Sequence, residues 1–125
     1  MRIPVQLGYR ALAHLARGVA VVAPNSESKF LRALAARRGI RRRYRDWGAK
    51  HRDRSRPLLW MHAPSVGEGL QARPVLELAR ARRPDLQLAY THFSPSALGF
   101  ARGLDVDFRD YLPFDTPGDA RVALD

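Results

Sequence analysis

The sequence predicts an α/β fold: a Rossmann-like parallel sheet with flanking helices, preceded by an amphipathic helix and a basic connector. Three observations carry this. Short apolar runs at residues 58–63, 86–92 and 106–112 have the length of buried strands. A helical pattern follows each run, and strands alternating with helices call for a parallel sheet with helices on both faces. The composition changes at Arg56-Pro57, which divides the chain into a helix at 1–24, a connector at 25–56 and a sheet domain at 57–125.

In the first segment Gln6, Arg10, His14 and Arg17 fall on one stripe of a helix, and Leu7, Leu12, Leu15, Val19 and Val22 occupy the rest. Such a helix lies in a membrane interface or covers a soluble core. It does not suit a spanning helix, because each arginine near the bilayer centre costs about 2.5–3.5 kcal/mol. The arginines also break the apolar region that a signal peptide needs.

Residues 24–27, Pro-Asn-Ser-Glu, end that helix, and Ser26 suits the cap of another. Phe30, Leu31 and Leu34 form an apolar patch before Gly39. Then come Arg41, Arg42, Arg43, Arg45, Lys50, Arg52, Arg54 and Arg56, interleaved with Tyr44 and Trp47. The formal net charge of +10 is concentrated here, so an anionic partner is expected. Basic residues among aromatics bind single-stranded nucleic acid. They also bind anionic headgroups, at about 1 kcal/mol per Lys or Arg near the surface. A solvated connector is the plain alternative. No cysteine is present, which excludes disulfides and thiolate metal sites.

The sheet domain opens with a strand at 58–63, a small polar loop, and a helix over 69–83 whose first turn should hold Pro74, or which Pro74 kinks. Pro84-Asp85 stops this helix. A second strand covers 86–92, a short helix runs from Ser94-Pro95-Ser96 to near Gly103, and a weaker strand covers 106–112. Thr116 and Pro117 then start a last helix, with proline where a first turn tolerates it.

Several site readings compete in this domain. Residues 67–72, Gly-Glu-Gly-Leu-Gln-Ala, fit a dinucleotide fingerprint. The fit is poor, because Tyr90, Thr91 and His92 stand where the ribose-binding acid belongs and Glu68 would face the pyrophosphate. His62, His92 and Glu68 could converge as a metal site, but no helical ligand spacing supports it. Asp105 and Asp107 read as a solvated edge rather than a metal pair. Ser65 lacks a hydrolase elbow and reads as a loop or capping hydroxyl. Glu68 is left: a carboxylate at a helix start, between glycines that let a ligand approach. The helix dipole favours its ionised form. Desolvation by a bound acceptor restores its basicity, which suits a general base. A capping glutamate is the alternative from chemistry alone.

From Tyr44 onward the chain resembles the N-terminal half of the 3-deoxy-D-manno-octulosonic acid (Kdo) transferases of lipopolysaccharide biosynthesis. The resemblance lies in Tyr44-Arg45-x-Trp47-Gly48, in residues 62–68 (His-Ala-Pro-Ser-Val-Gly-Glu), in Ala72-Arg73-Pro74-Val75, in Arg83-Pro84-Asp85-Leu86, and in residues 111–117 (Tyr-Leu-Pro-Phe-Asp-x-Pro). It implies half of a GT-B glycosyltransferase with inverting transfer. Glu68 would be the catalytic base, with Ser65, Gly67, Gly69, Arg73 and Arg45 on the acceptor side. The implied acceptor is a phosphorylated, acylated lipid A precursor, and the implied donor is CMP-Kdo, bound by a C-terminal domain beyond Asp125. No cofactor or catalytic metal is implied. The expected location is the cytoplasmic face of the bacterial inner membrane, peripheral or monotopic. The sequence departs from the family pattern at Pro64 and at residues 91–98. A chain ending at Asp125 is also expected not to transfer sugar by itself. The competing reading is a basic module, without catalysis, that binds anionic membrane or nucleic acid; the resemblance disfavours nucleic acid.

Overall fold

The computed structural model describes residues 12–15 and 29–125. Residues 12–15 are helical, with Leu12 and Leu15 exposed. The rest of the expected amphipathic helix, and the Ser26 cap, lie outside the described residues. The elements are α1 (Lys29–Ala35), α2 (Ile40–Lys50), β1 (Leu58–His62), α3 (Val66–Arg82), β2 (Gln87–His92), a 3-10 turn (Pro95–Ala97), α4 (Leu98–Arg102), β3 (Phe108–Tyr111) and α5 (Pro117–Leu124). The chain forms two compact units. One takes in Met1–Arg45 and Pro113–Asp125, and the other is Asp46–Leu112.

In Asp46–Leu112 the three strands pair in parallel in the order β1-β2-β3. The α/β class and the parallel sheet stand as the sequence predicts. The register sets Leu59 and Met61 beside Leu88 and Tyr90 on one face, and Trp60 and His62 beside Ala89 and Thr91 on the other. Helices α3 and α4 cover the first face, where Leu76, Leu88, Tyr90, Ala101, Leu104 and Val106 form the core. Trp47 of α2 serves the second face. Its ring lies 4.9 Å from that of Phe108, and its indole N–H donates to the Asp107 carbonyl at 3.1 Å.

Central strand β2 is buried along its whole length although Gln87, Thr91 and His92 are polar. Burial of polar groups needs partners, and each has one. The Gln87 side chain donates to the His51 carbonyl at 2.8 Å and accepts from the Asp53 N–H at 2.9 Å and the Arg52 guanidinium at 2.8 Å. Thr91 Oγ1 accepts from Trp60 Nε1 at 3.0 Å. His92 Nδ1 lies 3.0 Å from the Ser94 carbonyl, with its ring 4.3 Å from that of Tyr111.

Two expectations change. Helix α3 starts at Val66, not Gly69, and Pro74 lies well inside it rather than in its first turn. The proline is tolerated because it faces solvent. The Leu70 carbonyl, which loses its N–H partner to the ring, belongs to an exposed residue and can bond to water. Asp105 and Asp107 are not merely a solvated edge. Arg80 pairs with both, and Asp107 Oδ2 also accepts the Leu88 N–H at 2.7 Å, so it latches β2.

In the other unit, Gly39 joins α1 to α2 with φ +66°, the left-handed conformation that favours glycine. Ile40 and Tyr44 of α2 are buried. Ile40, Arg41, Tyr44, Pro113, Asp119 and Val122 line one shallow cavity. Thr116 caps α5, its hydroxyl accepting the Asp119 N–H at 3.2 Å, with Pro117 in the first turn as expected. Buried Asp119 accepts from Arg41 Nε, and Gly118 gives the arginine its room: a Cβ there would meet Arg41 Nη2 at 2.6 Å.

Candidate active site

The carboxyl edge of the sheet is built from the loops after β1 and β2. The Pro64 carbonyl accepts the N–H groups of Phe93 at 3.0 Å and Ser94 at 2.9 Å, which ties the two loops together. The stiff residue that departs from the family pattern thus offers a carbonyl as the tie. Ser94 and Ser96 keep their hydroxyls 2.7 Å apart in the second loop.

Ser65 occupies the N-cap of α3 in an extended conformation, and Glu68 stands in the first turn. A serine three residues before a glutamate fits the capping box. The Ser65 hydroxyl makes no cap bond, however; it donates instead to Glu68 Oε2. The carboxylate is therefore exposed at the sheet edge with its orientation set by a neighbour.

The glycines on either side of Glu68 differ. A Cβ at Gly67 would find only Ser65 Oγ, at 3.8 Å, so the space there is open. A Cβ at Gly69 would meet Phe100 Cε1 at 2.5 Å and the Tyr90 hydroxyl at 2.8 Å. Gly69 is buried and lets the helix start pack on the core. The sequence expected open space beside both glycines; the structure leaves it open at Gly67 alone of the two. Gly69→Ala is expected to cost about 1–3 kcal/mol by overpacking. Gly67→Ala should be neutral or stabilising by about 0.5–1 kcal/mol, since alanine suits a helix better than glycine. Denaturation midpoints of the two variants check this contrast; equal effects would contradict it.

The Arg73 guanidinium carbon lies 4.6 Å from the Phe100 ring centroid. Arg45 lies exposed on α2, in the other unit. His62 Nδ1 lies 3.0 Å from Thr91 Oγ1, and His92 is buried, so the two imidazoles have separate local partners. Among the described residues no cluster of three or more His, Cys, Asp or Glu side chains could hold a metal ion.

Much of the arginine-rich stretch serves the fold. Arg56 donates to the carbonyls of Pro84, Asp85 and Leu86 at 3.2, 2.9 and 2.7 Å. Arg52 bonds Gln87 and the Arg56 carbonyl, Arg43 donates to the Ala36 and Arg38 carbonyls, and Arg41 pairs with Asp119. Arg45, Lys50 and Arg54 stay exposed without such bonds among the described residues.

Leu70, Pro74, Val75 and Leu78 form an exposed apolar stripe along α3, beginning just after Glu68. Exposed apolar patches of this kind are where proteins meet partners or lipid. Among the described residues no helix is long and apolar enough to cross a membrane.

Sequence reasoning missed Tyr90 and Phe100, which lie beneath Gly69. The one signal available was a tyrosine in an otherwise small and aliphatic strand centre, since a buried phenol needs a reason for its oxygen. Burial, and after it the charge of Glu68, push the Tyr90 phenol above its ordinary range.

No solved structure matches the chain. Residues 30–125 match the family model described as 3-deoxy-D-manno-octulosonic-acid transferase (kdotransferase). That span includes all of Asp46–Leu112, part of the other unit and every described candidate residue, and the chain belongs to the Kdo transferase family, as its N-terminal half.

Proposed function

We propose that this chain is the acceptor-side half of an inverting glycosyltransferase that moves Kdo from CMP-Kdo to a lipid A precursor. Glu68 is the general base. The observation that carries this reading is an exposed carboxylate at the sheet's carboxyl edge, oriented by Ser65, with open space over Gly67. Glu68 takes the proton of an acceptor hydroxyl as that oxygen attacks the anomeric carbon from the face opposite CMP. CMP leaves with the bonding electrons, so the configuration inverts. One carboxylate suffices, because the donor is already activated.

The apolar stripe on α3 suits the acyl chains of such an acceptor, and exposed Arg45, Lys50 and Arg54 suit phosphates or an anionic membrane surface. Ser65 and Gly67 border the acceptor hydroxyl. Gly69 supports the site from below, and Arg73 supports it through Phe100. CMP-Kdo belongs to the other half of the enzyme, so residues 1–125 alone bind acceptor without transferring Kdo. No cofactor takes part. The enzyme works at the cytoplasmic face of the inner membrane.

Titrating isotope-labelled residues 1–125 with a bisphosphorylated lipid A precursor tests this. Amide shifts should gather at residues 65–70 and along the outer face of α3, and Leu78→Lys should weaken binding several-fold. Shifts confined to residues 41–56 and lost in moderate salt would favour a purely electrostatic module instead. Kdo transfer by the 125-residue chain alone would overturn the assignment of the donor to the other half.

A further inference from the structure

Tyr90 is 0% exposed, and its hydroxyl has no hydrogen-bond partner. It lies directly under the first turn of α3, where a Cβ on Gly69 would come within 2.8 Å of it. Its ring sits 6.5 Å from that of Phe100, centroid to centroid. Phenylalanine would fill the same place without burying an unpaired donor, so packing does not account for the oxygen. The phenol stays protonated at neutral pH, because burial and the nearby Glu68 charge both resist its ionisation. It is therefore a hydrogen-bond donor in reserve. Glu68, the residue before Gly69, is held by Ser65, whose hydroxyl is at the surface and within reach of an incoming acceptor.

We propose that Tyr90 is a positioning residue for Glu68: its hydroxyl becomes the inner donor to the Glu68 carboxylate when an acceptor hydroxyl displaces Ser65. The proposal rests on the reading of Glu68 as the base. Without a second donor, the carboxylate would be free to rotate at the moment the acceptor arrives. A bond from Tyr90 to one oxygen fixes the rotamer and leaves the other oxygen to take the acceptor proton. Tyr90 keeps its own proton throughout, and Glu68 carries the transferred one.

The test needs no turnover. The chain holds four tyrosines, and Tyr90→Phe identifies the Tyr90 resonance by its loss. Ser65→Ala frees Glu68 as an acceptor would. In that variant the Tyr90 13Cζ signal should move downfield by a few tenths of a ppm or more, as its O–H gains an acceptor, and Ser65→Ala/Glu68→Gln should largely abolish the movement. A Tyr90 signal unmoved by Ser65→Ala, or moved equally in both variants, overturns the proposal. Should Ser65→Ala fail to fold, Ser65→Gly replaces it, and the Tyr90 signal is compared with that of Ser65→Gly/Glu68→Gln: movement lost in the double variant supports the contact, and no movement or equal movement overturns the proposal. Either failure leaves Glu68 as base untouched, whereas retained transfer by Glu68→Gln would remove the base and spare the Tyr90 contact.

Discussion

Arg41→Ala should destabilise the unit built from Met1–Arg45 and Pro113–Asp125 by about 1.5–3 kcal/mol, the range for a hydrogen bond to a charged group, because it takes a charged donor from buried Asp119. The asymmetry of the pair sets the direction. The Asp119 side chain is 0% exposed and that of Arg41 is 37% exposed. Removing the arginine leaves a carboxylate in the interior. Removing the carboxylate leaves a guanidinium that can turn to water, so Asp119→Ala should cost less, despite the cavity it opens. The loss should show in faster amide exchange across α5, since Asp119 also gives the N–H that Thr116 caps. Urea unfolding of both variants, with α5 exchange as the local probe, checks this. Equal losses, or a larger one for Asp119→Ala, would mean that the pair is held by packing rather than by charge.

That pair also marks the limit of what the sequence could say. Arg41 looked like part of an anion-facing run because its neighbours are basic, yet its partner stands 78 residues away. Arg52 and Arg56 likewise find acceptors 28–35 residues on, at the turn into β2. A run of like charges reports repulsion; it does not report distant carbonyls that absorb it. Other features were local and so legible. The order of strands and helices, Thr116 before Pro117, and an acid at the start of the helix after the first strand each depend on neighbouring residues alone. The start of α3 was misread for the opposite reason. Gly67 and Gly69 have poor helix propensity, and a loop was the natural local reading. What overrides it is tertiary: the helix start can lie on Tyr90 and Phe100 only if residue 69 has no side chain.

Glu68→Gln, made in a protein that also carries the donor-binding half, should lower the rate of Kdo transfer by about 10²–10⁴-fold, the usual contribution of a positioned general base. Glutamine keeps the size of the side chain and an oxygen that can accept from Ser65, so the geometry of the first turn is retained. What is lost is the ability to take a proton from the acceptor hydroxyl. Acceptor affinity should stay within a few-fold of the unmutated value, because the apolar stripe on α3 and the exposed cations are unaltered. Ser65→Ala should lower the rate far less, since it removes an orienting bond and not the proton acceptor. A capping glutamate predicts a different outcome. Its replacement would cost some tenths of a kcal/mol of helix stability through the macrodipole and leave turnover nearly intact. Rates and acceptor affinities for Glu68→Gln and Ser65→Ala, measured side by side with the folded fraction of each, separate the two roles: a slow but well-bound Glu68→Gln protein is a transferase without its base.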